Sequence, residues 1–139
     1  MSVDNPANSP VILLCIQGAQ AEFEGRAEEA CRFYARAWDL AAGDYEASVA
    51  AHYVARCQAD PLETLRWNLE ALTRADLSSD DRVRVFYPSL YVNIGRAYQS
   101  LGDAAEAERY YRLAAESGLE YPNENQTESH SERLTRVRW

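Results

Sequence analysis

Apolar positions recur at helical spacing along most of the chain, in blocks divided by short polar breaks. Ser9-Pro10 is a capping acceptor followed by proline at the first helical position, where its missing N–H costs nothing. It opens a predicted helix from Pro10 to about Glu24, stopped by Gly25. A second runs from about Ala27 to Ala41, with Gly43 able to take the left-handed C-terminal conformation. Asp44 is read as the cap of a third helix reaching about Ala59. Asp60-Pro61-Leu62-Glu63 is a start signal of acceptor, proline and acid, and that fourth helix ends near Asp76. Beyond the polar break at 77–81, Val83, Phe86, Leu90, Ile94, Ala97, Tyr98 and Leu101 hold one stripe through Pro88. This predicts one long helix kinked near Pro88, with two pieces as the alternative. Gly102-Asp103 recaps the chain, and a sixth helix spans about Ala104 to Ser117, stopping at Gly118. No strand is predicted. The organisation is an N-terminal segment 1–9, a helical domain 10–121, and a polar tail or partial cap 122–139.

Two stretches repeat at a separation of 77 residues. Gly18, Ala21, Gly25, Ala30, Tyr34 and Ala37 align with Gly95, Tyr98, Gly102, Ala107, Tyr111 and Ala114. Gly18 and Gly95, with Ala30 and Ala107, allow the second helix of a pair to approach the first closely. Tyr34 and Tyr111 are then expected to fill the space between one pair and the next. Residues 45–78 form a degenerate copy. It has His52 at the glycine position, Ala55 at the next, Thr64 for alanine, Asn68 for the tyrosine, and a matching Ala71. Residues 79–87 are an insertion.

This pattern resembles the tetratricopeptide repeat family, whose unit is a helix–turn–helix, over units at 11–44, 45–78 and 88–121. The resemblance implies an all-α solenoid of antiparallel helix pairs, with six helices plus the polar tail. It also implies a concave groove lined by the first helix of each pair, in which protein partners bind as peptides. Carried over by alignment, the first unit contributes Ile12, Cys15, Ala19, Glu22 and Phe23. The second contributes Val49, Tyr53, Arg56 and Cys57, and the third Ser89, Val92, Asn93, Arg96 and Gln99. An apolar groove with two arginines suits a peptide with hydrophobic anchors and one carboxylate, unless Arg56 and Arg96 merely pair with nearby acids. Some family members clamp a chaperone C-terminal carboxylate with lysines and asparagines. Of the matching positions Cys15, Ala19, Ala50, Ser89 and Asn93, only Asn93 has such a residue.

Composition narrows the function classes. Hydrophobic residues make up 47% of the 139, enough for a real core, and 22 alanines favour helix over sheet. The net charge of -8 argues against nucleic acid and anionic membrane as partners. All 14 basic residues are arginine, which removes lysine nucleophiles and a P-loop lysine. The N-terminus has no basic n-region and its apolar run from Val11 to Ile16 is too short for a signal sequence or membrane span. Cys15, Cys31 and Cys57 show no CxxC spacing, so they read as inert buried thiols in a reducing cytoplasm, without a disulfide or zinc framework.

Nothing in the residues builds an active site. His52 reads as a packed residue, His130 lies in the polar tail, and no Glu-x-x-His pair, glycine-rich phosphate cradle or nucleophile elbow occurs. Glu22, Glu24, Glu28, Glu29, Glu106 and Glu108 read as solvated faces, and Trp38 and Trp67 as packing between pairs. No cofactor, metal or catalytic residue is expected. The leading reading is a non-enzymatic protein-interaction module. A regulatory sensor of a small peptide or ligand in the same groove, and a homodimer or larger homo-oligomeric scaffold, are the alternatives. In the tail, Leu134, Val137 and Trp139 oppose Arg133, Arg136 and Arg138, an amphipathic turn read either as docking on the acidic body of its own or a second chain or as a disordered tail.

Overall fold

The computed structural model describes residues 9–120. Six α-helices are present among them: α1 (Pro10–Phe23), α2 (Ala27–Leu40), α3 (Asp44–Ala55), α4 (Pro61–Leu77), α5 (Tyr87–Ser100) and α6 (Ala104–Glu120). A 3₁₀ helix, Asp81–Phe86, precedes α5, and no strand occurs among the described residues. The proposed tail contacts at 122–139 lie outside the described residues.

The helix starts follow their capping chemistry. The Ser9 hydroxyl accepts from the Ile12 N–H at 3.4 Å and donates to Glu46 Oε2 at 2.5 Å, tying the start of α1 to α3. Asp60 accepts from the Leu62 N–H at 3.1 Å, and Pro61 opens α4. Gly25 and Gly102 sit at φ +82 and +83, the left-handed backbone that the two tight turns require.

Four boundaries differ from the sequence reading. Gly43 has extended backbone, φ -147, and is itself the cap of α3, with Asp44 the first helical residue. The third helix ends at Ala55, four residues before Ala59, because the Arg56 and Cys57 N–H groups tighten onto the Tyr53 and Val54 carbonyls. Pro88 does not kink a long helix. The stripe from Val83 to Leu101 is split into the 3₁₀ helix and α5, and Pro88 stands in the first turn of α5, where no intrahelical donor is needed. The sixth helix passes through Gly118 to Glu120; one glycine costs only about 1 kcal/mol in a helix that is otherwise supported.

The helices pack as consecutive pairs, α1 on α2, α3 on α4 and α5 on α6, with α2–α3, α1–α3 and α4–α5 contacts joining the pairs. Each outer pair meets through a glycine and a tyrosine. A Cβ on Gly18 would stand 2.7 Å from Tyr34 Cδ1, and one on Gly95 2.7 Å from Tyr111 Cε1. The tyrosines therefore fill the notch inside their own pair, and do not chiefly fill the gap between pairs. Tyr34 also reaches the next pair, stacking on Tyr53 of α3 with centroids 4.9 Å apart. Between the first two pairs, Trp38 and Trp67 meet edge to face at 5.0 Å.

Candidate functional site

The face expected to line a groove divides into core and surface. Cys15 and Val92, each 2% exposed, and Val49, 8% exposed, belong to the core, so they support the face without lining it. Ile12, Ala19, Glu22, Tyr53, Ser89, Asn93 and Arg96 are half-buried. Arg56, Gln99 and Phe23 are exposed, Phe23 by 88% at the end of α1.

The repeat imposes a second pairing on this face. The residue four after each notch glycine lies one turn further along the first helix, within reach of the tyrosine hydroxyl. Tyr34 donates to Glu22 Oε1 at 2.8 Å, and Tyr111 donates to Gln99 Oε1 at 2.6 Å. In the middle pair the equivalent residue is Arg56, and its tyrosine position is occupied by Asn68. Arg56 turns instead to the first pair, where its Nε donates to both oxygens of Glu22 at 3.0 and 3.1 Å. The Arg56 guanidinium, and then the Tyr34 hydroxyl, hold the Glu22 carboxyl below its usual range, against the opposing effect of partial burial.

The same exchange of residues opens a pocket. His52, 2% exposed, stands at the position of the notch glycine in the other pairs, and Asn68, 4% exposed, at the position of the large ring. Between α3, α4 and α5 this leaves a polar cavity of about 180 Å³, lined among others by His52, Arg56, Thr64, Asn68, Asn93 and Arg96. His52 Nδ1 is 3.4 Å from Asn93 Nδ2. Burial first, and the Arg56 cation second, keep the His52 imidazole neutral by pushing its pKa well below the ordinary value. The lining thus carries a neutral imidazole, two amides, the Thr64 and Ser100 hydroxyls and two guanidinium groups, of which Thr64 already donates to the Gln58 and Asp60 carbonyls and Arg56 to Glu22. Thr64 and Asn68 were absent from the groove read out of the sequence, because the alignment assigned the groove to first helices alone. The signal was the inverted pair of sizes at positions 52 and 68.

A larger cleft of about 570 Å³ lies beside the 3₁₀ helix, lined by Asp76, Asp80, Asp81, Arg84, Tyr87 and Ser117 among others. Its carboxylates are already engaged. Arg82 pairs with Asp80, Arg84 with Asp81, and Tyr87 donates to Asp76 at 2.7 Å. Among the described residues no group of three or more His, Cys, Asp or Glu is placed to hold a metal ion, and no helix is long and apolar enough to cross a membrane.

The cysteines differ from expectation. Cys31 of α2 and Cys57, just beyond α3, form a disulfide with their Cα atoms 5.8 Å apart. Sequence spacing did not reveal it, because the partners are brought together by packing of α2 on α3. The pairing also removes the cysteine argument for a reducing compartment. Cys15 alone is a buried free thiol, with its pKa pushed up to about 12 by burial.

A tetratricopeptide repeat family description matches residues 88–117, which cover most of α5 and the greater part of α6. Those residues carry a tetratricopeptide repeat. The match includes Gly95, Tyr98, Gly102, Ala107, Tyr111 and Ala114, the residues whose packing is described above. No curated protein and no solved structure matches the chain. A tetratricopeptide repeat suggests a protein–protein interaction module, and domains of this kind are generally non-catalytic.

Proposed function

We propose that the three helix pairs are successive repeats and that the chain is a non-enzymatic module binding a peptide segment of a protein partner across α1, α3 and α5. The polar pocket between α3, α4 and α5 carries this reading. It is built where the middle pair departs from the pattern of its neighbours, and it concentrates donors that a well-packed repeat would not leave open. An acidic or amide side chain of the peptide seats in it, met by Arg96, Asn93 and Asn68, while the apolar surfaces of Ile12 and Tyr53 take hydrophobic neighbours along the peptide. Arg56 contributes less charge than the sequence suggests, because Glu22 already neutralises it.

An array of extended peptides, scanned by calorimetry with and without Asp or Glu at the centre, tests the reading. Acidic and amide-bearing peptides should bind best. Arg56→Glu combined with Arg96→Glu should weaken that binding while far-UV circular dichroism keeps its helical form. Binding that ignores both the peptide's central residue and this double substitution would remove the pocket from the interface.

A further inference from the structure

The turn between α3 and α4 is built unlike those of the outer pairs. Their turns rest on Gly25 and Gly102 in left-handed backbone, whereas the α3–α4 turn has Ala59 at the corresponding place and no positive φ. It is held by the Cys57 sulfur bonded to Cys31 across the α2–α3 interface. It is also held by the Gln58 amide donating to the Val54 carbonyl at 3.1 Å, and by the Asp60 cap. Both cysteines are half-buried, unlike Cys15. Cys15 is shut in the core and carries no thiolate near neutral pH, so exchange has one closed product.

We propose that Cys31 and Cys57 are a reversible redox modification site that clips the α3–α4 turn to α2 and so fixes Arg56 at the edge of the polar pocket. The co-reactant is a low-molecular-weight disulfide such as oxidised glutathione. One protein thiolate attacks it, forms a mixed disulfide and releases one glutathione thiolate. The second protein thiolate attacks the protein sulfur of that mixed disulfide, closing Cys31–Cys57 and releasing the second glutathione. Two cysteine thiols are oxidised, one glutathione disulfide is reduced to two thiols, and the two protons pass to the released thiolates. Reduction by excess glutathione runs the same steps backwards. Arg56 precedes Cys57 directly, so opening the clip loosens the residue that joins Glu22 to the pocket.

The test equilibrates the whole chain in a series of reduced-to-oxidised glutathione ratios. The samples are acid-quenched, unfolded, alkylated with iodoacetamide and weighed by mass spectrometry. Of the three cysteines, three should be alkylated at the reduced end and only Cys15 at the oxidised end, with a midpoint between. Amide hydrogen exchange over 54–60 should quicken on reduction in the wild type. In Cys31→Ser it should be fast under both conditions. Three alkylated thiols at every ratio, one at every ratio including reduced glutathione alone, or a glutathione adduct retained in place of closure would each overturn the proposal. So would exchange over 54–60 that is the same in the oxidised and reduced wild type.

Discussion

The Tyr34 ring occupies the volume that any side chain at residue 18 would need, so Gly18 and Tyr34 form a single packing unit across α1 and α2. Gly95 and Tyr111 repeat the arrangement across α5 and α6, but with a freer ring. Both hydroxyls are hydrogen-bonded, to Glu22 and Gln99, but Tyr34 is 1% exposed and stacked on Tyr53, whereas Tyr111 is half-buried. Alanine is worth up to about 1 kcal/mol over glycine within a helix, while overpacking a fixed core costs about 1–3 kcal/mol. Gly18→Ala should therefore lose about 1–2 kcal/mol net, and Gly95→Ala should stay within about 1 kcal/mol of wild type as Tyr111 swings aside. Urea denaturation at neutral pH measures both; equal losses would mean that the two rings are equally fixed.

The legibility of this fold follows from the same contrast. Gly18, Tyr34 and their counterparts at 95 and 111 carry their packing in residue size, which a sequence displays directly. Capping is equally local, and Ser9 and Asp60 act as their positions predict. The Cys31–Cys57 bond was hidden because it depends on how α2 crosses the end of α3. Pro88 misled for a different reason: a continuous apolar stripe is compatible with either a bent helix or two helices in line. Arg56 and Arg96 do line the cavity between α3, α4 and α5, but Cys15, Val49 and Val92 were placed on the groove by alignment although packing buries them.

Glu22 should impart acid sensitivity to the junction of the first two pairs. Hydrogen bonds from Arg56 and Tyr34 lower its pKa in the folded chain, so in acid the unfolded chain binds the proton first. The stabilisation is present above the unfolded value of 4.5 and is lost as pH falls through the folded one. Glu22→Gln should cost less than about 1 kcal/mol near pH 7, since both partners are about a third exposed and solvent screens them. The gap between variant and wild type should close as pH falls below 4.5 and through the lower folded value. A gap that persists undiminished in acid would show that the carboxylate charge contributes nothing.

His52 acts in a higher pH range. Its folded pKa lies well below the ordinary 6.5, so between those values the unfolded chain carries a proton that the folded chain refuses. Stability should be fully present above pH 6.5 and should fall by up to about 1.4 kcal/mol per pH unit below it. His52→Gln removes the titration, and its stability should be flatter between pH 6.5 and 5 whatever its absolute loss. Denaturation midpoints collected at half-unit steps for both proteins decide the matter, and parallel curves would place the titrating group elsewhere.

The middle pair offers the sharpest test, because the large and small residues are exchanged at its two aligned positions. His52 and Asn68 are both buried and line one cavity, so Asn68→Tyr alone should overpack and lose about 1–3 kcal/mol. His52→Gly alone empties the notch and adds a helical glycine, with a loss of about 2 kcal/mol. Together they restore the glycine and tyrosine of the outer pairs, and the double variant should lose less than the sum of the singles, by about 0.5–3 kcal/mol. The new hydroxyl also gives Arg56 a neighbour within its own pair, as Tyr34 gives Glu22 and Tyr111 gives Gln99. The refilled notch removes the cavity lined by Asn68 and Arg96, so this folded variant should no longer select acidic peptides. Additive losses would mean that positions 52 and 68 do not share one space; selection that survives in a compensated double variant would place the peptide's anchor outside the cavity.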